Sequence, residues 1–139
     1  MEDDSKMGKI KKWIETCPLL DGDKINVDYL KDDINSYSID RTPVNPEIKK
    51  FVDGNGGRYR IAFDFTVTAP WGSQAIINLT NSKFCDDFTD WVKTQDRRKN
   101  FPQINGAFSI KCTSPGYILQ KIKTMAVYII QMEFTYYEF

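Results

Sequence analysis

The segment from residue 35 to residue 57 constrains the fold more than any other part of the chain. It begins with apolar Tyr37 and Ile39 alternating with polar neighbours, a pattern typical of a half-buried strand. Pro43 and Pro46 then confine the next residues to a kink or a sheet edge, because proline cannot donate to a strand ladder. A second strand and a glycine-rich turn at 53–57 complete the segment. Such a tract specifies shape and pairing rather than chemistry.

Four further runs alternate with the period of a strand. Residues 58–69 predict the central strand of a sheet, with Ile61, Phe63 and Phe65 on one face. Residues 107–112 and 125–137 predict two more strands, the second of them long and aromatic. A short strand around residues 25–29 is also possible.

Two runs have the period of a helix. Apolar residues recur along residues 5–17 at helical spacing, with Ser5 as the predicted N-cap and Pro18 as the stop. Residues 81–93 predict a second amphipathic helix, capped by Asn81 or Ser82. The order of the elements lacks a regular βαβ alternation. We therefore predict one α+β domain over residues 1–139: a mainly antiparallel sheet with an amphipathic helix packed on it and an N-terminal helix.

Composition excludes several functions. The chain has 19 basic and 19 acidic residues, so no global positive field attracts DNA or an anionic membrane. It contains no histidine, which excludes Ser–His and Cys–His nucleophile pairs and the commonest zinc sites. We expect no catalytic residue, no metal and no cofactor.

The cysteines and the N-terminus indicate a reducing compartment. Cys17, Cys85 and Cys112 are too few and too scattered for a disulfide framework, and apolar neighbours suggest buried structural thiols. The acidic start resembles no signal peptide, and no apolar run approaches spanning length. We expect a protein that is made and kept in the cytoplasm, without a membrane partner.

Carboxylate groups offer the nearest approach to chemistry. Asp86 and Asp90 would share one face of the second helix, as a cation site or an acid/base pair requires. They lie on the polar side of that helix, so a solvated face is the favoured interpretation. Asp21 and Asp23 hint at a calcium loop, but the further ligands are missing.

Aromatic and turn residues provide candidates for protein contacts. Trp71 and Tyr117 are predicted to lie in loops, where a large ring either covers the edge of the core or anchors a partner. The hairpin around residues 53–57 is predicted to project, and its candidate contact residues are Asp53, Asn55 and Arg58. We expect alanine at Trp71 to impair assembly rather than folding.

The order of these elements resembles the tail-terminator (minor capsid) family of tailed bacteriophages. The resemblance covers nearly the whole chain and departs from the family pattern in an extra glycine at the hairpin and in Trp71. Its motifs are Trp13 in the first helix, Tyr37-Ser38-Ile39-Asp40, Pro43, Phe51-Val52-Asp53-Gly54, Phe63 and Phe65, Asn81-x-x-Phe84, Trp91, Pro102 with Gly106, Ser114-x-Gly116-Tyr117 and Tyr128-Ile129-Ile130-Gln131.

The resemblance implies a structural role in the virion tail, assembled in the cytoplasm of the bacterial host. Members form a six-membered ring on the head-proximal end of the tail tube, where the ring ends tube polymerisation and presents a head-joining surface. The implied partners are further copies of the chain, the major tail tube protein and head–tail connector proteins. DNA would pass through the lumen without specific binding, which suits the balanced charge.

The sequence leaves three other functions open. A head–tail connector or neck protein would share ring assembly and differ in the surface it contacts. A small carboxylate-dependent enzyme would require a buried pocket with a strongly shifted carboxylate. A monomeric adaptor would show no self-association.

Overall fold

The computed structural model describes residues 5–20, 25–27, 36–50, 56–71, 75–122 and 124–138. These residues form two helices, seven strands and a single 3₁₀ turn at Pro18–Leu20. In chain order the helices and strands are α1 (Lys6–Glu15), β1 (Ile25–Val27), β2 (Ser36–Arg41), β3 (Glu47–Lys50), β4 (Gly57–Pro70), α2 (Ala75–Arg97), β5 (Ala107–Cys112), β6 (Tyr117–Ile122) and β7 (Met125–Glu138).

Two long antiparallel strands form the centre of the sheet. β4 and β7 pair along their full 14 residues, from Gly57 opposite Glu138 to Pro70 opposite Met125. β2 and β3 pair with the outer edge of β4, while β5 and β6 pair with the outer edge of β7. β1 extends the sheet by pairing parallel with β2. The predicted α+β class with a mainly antiparallel sheet is confirmed.

Each outer edge is a strand interrupted by a proline-containing kink. Between β2 and β3, the ladder continues through Thr42 N–H to the Ala62 carbonyl (2.8 Å) and Arg60 N–H to the Pro46 carbonyl (2.7 Å). Between β5 and β6, Thr113 N–H donates to the Gln131 carbonyl at 2.7 Å. The kinks therefore bend each edge without detaching it from its central strand. The kink predicted from Pro43 and Pro46 is confirmed.

Both described helices pack on the same face of the sheet. Side chains of β4 and β7 alternate between the two faces, and Phe65 stacks on Phe88 of α2 with ring centroids 4.4 Å apart. α1 lies beside α2, where Trp13 and Trp91 have ring centroids 4.8 Å apart. We call this the helix face. The sheet is thus one layer and the helices the other.

Aromatic rings form the centre of the core. Tyr37 lies beside Phe65 and Phe84, and Phe84 in turn approaches Phe88. Phe65 and Phe88 have no exposed surface. Such pairs stabilise a core beyond their buried area. The core-face residues predicted for the long strands are confirmed, and the buried or nearly buried members on β7 are Tyr128, Ile130, Met132, Phe134 and Tyr136.

The ends of the helices are partly as predicted. Ser5 caps α1, since its Oγ accepts a hydrogen bond from the Gly8 N–H at 3.0 Å. The prediction that Asn81 or Ser82 caps the second helix is wrong, because α2 begins at Ala75. Asn81 is instead a buried residue within α2, and its amide donates to the Pro70 carbonyl at 2.5 Å. Among the described residues, no helix is both long and apolar enough to cross a membrane.

Candidate interaction surfaces

The edge formed by β6 exposes a run of large apolar side chains. Tyr117 is 40% exposed, Ile118 37% and Leu119 57%. Of the described strands, only β7 pairs with β6, so its other side carries unpaired backbone groups. An apolar strand with an open edge favours pairing with another chain.

The neighbouring strand on the same edge is covered. The carboxylate of Asp96, near the end of α2, accepts a hydrogen bond from the Ile110 N–H of β5 at 3.0 Å. Further along α2, Cys85 packs so closely on Gly116 that a Cβ there would lie 2.5 Å from its Sγ. α2 therefore covers the side of β5, and beyond Gly116 it contacts Pro70 and Tyr128 rather than following β6.

The opposite edge carries a second exposed strand. All four residues of β3 are exposed, and Val44 in the preceding kink and Ile48 are 40% and 37% exposed. Charged Glu47, Lys49 and Lys50 accompany the apolar side chains. Lysine on an edge strand disfavours non-selective pairing. Among the described strands, β3 pairs only with β4 and β6 only with β7, so these two strands with a free side differ in charge and lie at opposite edges of the sheet.

The predicted contact residue Trp71 is the first residue after β4, outside any helix or strand, as expected for a loop position. It is half-buried against the core, and its backbone N–H donates to the Thr124 carbonyl at 2.7 Å. The ammonium of Lys121 lies 4.2 Å from the centroid of its indole ring, a cation–π contact. Trp71 therefore joins β4 to β6 and to the turn before β7. Its role in an interface stays a prediction.

The prediction that Tyr117 lies in a loop is wrong, because it is the first residue of β6 and pairs with Ile129.

Arg58 lies in β4 opposite Tyr137, with its Nε buried and without a hydrogen-bond partner. β3 and β4 form the two arms of the predicted hairpin, since Lys50 pairs with Gly57. The candidate residues Asp53 and Asn55 lie outside the described residues. Of the candidates that the structure describes, Trp71 and Tyr117 both lie beside or in β6, whereas Arg58 lies at the other end of β4.

An apolar cavity of about 510 Å³ opens between the sheet and α2. None of the described residues that line it carries a carboxylate, and its polar groups include the Asn81 amide and the Tyr128 hydroxyl. The Asn81 amide already contacts that hydroxyl at 3.3 Å and the Pro70 carbonyl. The arrangement offers apolar volume without the acid/base pair that a carboxylate-dependent enzyme requires.

The carboxylates singled out in the sequence lie elsewhere. Asp86 and Asp90 are exposed on α2, as expected for a solvated helix face. In the described ranges, no group of three or more Cys, Asp or Glu residues is arranged to hold a metal ion. Asp64 and Asp40 are cross-strand partners on the sheet face that does not carry the helices. Burial, and to a smaller extent the charge of Asp40, raises the pKa of Asp64.

The thiols show the character of buried structural groups. Burial raises the pKa of Cys85 and of Cys112 to about 11, and it also raises that of Cys17. At neutral pH these groups are protonated and therefore weak nucleophiles. All three cysteines are free.

Comparison with known proteins gives no functional assignment. No protein-family model matches the sequence, and no curated protein is similar to it. One solved structure, whose name describes no activity, is 14% identical over 94% of this chain and 89% of its own length, with a TM-score of 0.47. A likeness at this level carries no argument about function.

The sequence patterns missed β6, the strand with the most exposed apolar surface. Tyr117 to Leu119 is a continuous apolar run, and Gln120 and Lys121 are consecutive polar residues, so the segment lacks the alternation of a half-buried strand. Its pairing with β7 shifts register between Ile118 and Gln120, which disrupts the period further. The sequence offered one signal, namely that this segment is long enough to pair with the first half of β7.

Proposed function

We propose that this chain is a structural subunit of a phage tail or phage-tail-like particle, which forms a ring at the head-proximal end of the tail tube. In this role the ring ends tube polymerisation and provides the surface that joins the head. The role requires self-association and shape, and it requires neither a catalytic residue nor a cofactor.

The observation that carries the proposal is the pair of exposed strands on opposite sides of one sheet. A contact between two different surfaces of identical subunits is heterologous, and it generates a ring when the rotation closes. The exposed apolar side chains of β6 and those around β3 supply two such surfaces. A monomeric adaptor would have no need for both.

The resemblance in the sequence supports the more specific assignment to a tail terminator. The residues that carry it include structural positions of the fold. Trp13 and Trp91 join the helices, and Gly116 lies against Cys85. The equal numbers of acidic and basic residues suit a lumen through which DNA passes without binding.

Electron micrographs of the purified protein at rising concentration test the ring. We expect particles of one size with a central hole, accompanied by a single fast species in sedimentation velocity. A monomer at every concentration, and also in the presence of the tail tube protein from the same genome, would contradict the proposal.

A second measurement separates the terminator from the head–tail connector. Rings added to polymerising tail tube protein should shorten the tubes and appear at one end of each. Rings that leave tube length unchanged and bind instead to tailless heads would assign the connector role.

A further inference from the structure

We propose that the ring closes by antiparallel pairing of β6 of one subunit with β3 of the next copy of this chain. The inference rests on the proposed function and names the contact through which the ring forms. Its first support is that the β6 edge is accessible to another chain. α2 covers the side of β5 through Asp96, whereas β6 is exposed from Tyr117 to Lys121.

Strand direction provides the second support. β3 and β7 both run antiparallel to β4, and β6 runs antiparallel to β7. β3 and β6 therefore point in opposite directions within one subunit. Two neighbouring subunits of the same orientation can then pair these strands antiparallel, with the second subunit displaced along the strands, because β6 lies at the Met125 end of β7 and β3 at the Gly57 end of β4. The shared sheet continues without turning either subunit over.

The exposed side chains match in character. Both edges carry large apolar side chains, Ile118 and Leu119 on β6 and Val44 and Ile48 at β3, and all four are at least 37% exposed in the single chain. Burying such side chains is the main favourable contribution in most protein association. The contact would cover apolar surface that the isolated subunit exposes.

Charges fix the register. An antiparallel pairing that sets Lys121 opposite Glu47 of the neighbour also sets Ile118 opposite its Lys50. Lys121 and Glu47 are both on the helix face, because their cross-strand partners are Ala126 and Tyr59. Their side chains then lie on the same side of the shared sheet.

In the same register Lys50 of the neighbour approaches the start of β6. The opposite charges of Lys121 and Glu47 favour this register over a slipped one, because complementary charge contributes specificity to an interface.

A charge at the centre of β6 provides the first test. Leu119→Lys should raise the concentration at which rings form by at least about tenfold, because a lysine opposes edge pairing. Leu79→Lys is the matched control, since Leu79 is 66% exposed on α2 and belongs to neither edge. Both variants should keep the melting temperature of the parent.

Disulfide trapping identifies the partner strand. Ile118 and Lys50 are opposite each other in this register, so a protein with Ile118→Cys mixed with one carrying Lys50→Cys should give a disulfide-linked heterodimer, and each protein alone should give none. A protein with both exchanges should give linked oligomers up to the size of the ring. The native thiols give little background, because two are buried and the pKa of Cys112 is raised to about 11.

Charge exchange tests the register. Lys121→Glu should weaken the ring, and Glu47→Lys in the same chain should restore it. Rescue is the decisive result, because Lys121 also contacts Trp71 within its own subunit and the single exchange alone disturbs both contacts.

The outcomes separate this inference from the proposed function. Rings that form equally well with Leu119→Lys, or a disulfide in the Ile118→Cys protein alone, would overturn the β6–β3 contact and leave a ring protein with another interface. A parent protein that is monomeric in all conditions, with no linkage in the double cysteine variant, would overturn both.

Discussion

Gly116 lies directly against Cys85, so that a Cβ on the glycine would be 2.5 Å from both the Cβ and the Sγ of the cysteine. Gly116 belongs to the kink between β5 and β6, and Cys85 is a buried residue of α2. The close approach of this kink to the helix positions the start of β6. The position of the open edge therefore depends on the absence of a side chain at residue 116.

Gly116→Ala should destabilise the protein by about 1–3 kcal/mol, because the added methyl overpacks a closed contact. Chemical unfolding measures the loss. Cys85→Ala in the same chain removes Sγ, one of the two contacting atoms, and should recover part of the lost stability. An alanine variant as stable as the parent, or purely additive effects in the double variant, would contradict the close contact.

The indole of Trp13 joins α1 to the segment after α2. Its Nε1 donates to the Asn100 carbonyl at 2.8 Å, and its ring packs on Trp91. Trp13→Phe removes the donor and should reduce the free energy of unfolding by about 1–2 kcal/mol. Trp91→Phe is the control, since it shrinks the other ring of the pair while leaving this hydrogen bond in place. Equal losses in the two variants would show that packing alone accounts for the effect.

The buried amide of Asn81 ties α2 to both central strands. It donates to the Pro70 carbonyl at the end of β4 and lies 3.3 Å from the Tyr128 hydroxyl of β7. Asn81→Ala should cost about 1–3 kcal/mol, since it leaves buried polar groups without a partner. Tyr128→Phe should cost less, because the carbonyl contact remains. Ser82→Ala, at the next and exposed position, is the control for helix propensity. A cost at Ser82 equal to that at Asn81 would contradict the prediction.

Asp64 should make the protein less stable at neutral pH than its amide equivalent. Burial, then the charge of Asp40, raise the pKa of Asp64 above its ordinary 3.8, although a hydrogen bond from Thr42 lowers it. The folded state then holds the proton more tightly than the unfolded chain, so this contribution to stability is present below the ordinary pKa. It is lost as pH rises through the raised value.

Asp64→Asn removes the ionisable group and should therefore raise the melting temperature at about pH 7, with a smaller gain towards about pH 4. Thermal unfolding across this range measures the difference. Asp90→Asn, the same exchange on the exposed side of α2, is the control and should give no comparable gain. A gain at Asp64 that is independent of pH would assign the effect to packing.

The sequence by itself determined the elements whose pattern repeats with a clear period. Alternation in β4 and β7 specified both strands and their buried faces, because side chains on a strand point alternately to opposite sides. The helical spacing in α1, with Ser5 as its cap, specified that helix, because residues three or four apart lie on the same face of a helix. The proline kink before β3 followed from the missing N–H of proline.

Only the tertiary structure decided which edge is open. The first turns of α2 lack the amphipathic spacing found from Phe84 onward, so its start at Ala75 was missed. β6 has no alternation of its own and is a strand because the first half of β7 offers it a partner. Its exposure depends on where α2 ends its contact with β5, which is a relation between residues distant in the chain such as Asp96 and Ile110. Local patterns record which face of a strand is buried, whereas the neighbours of its edge are set by the packing of the whole molecule.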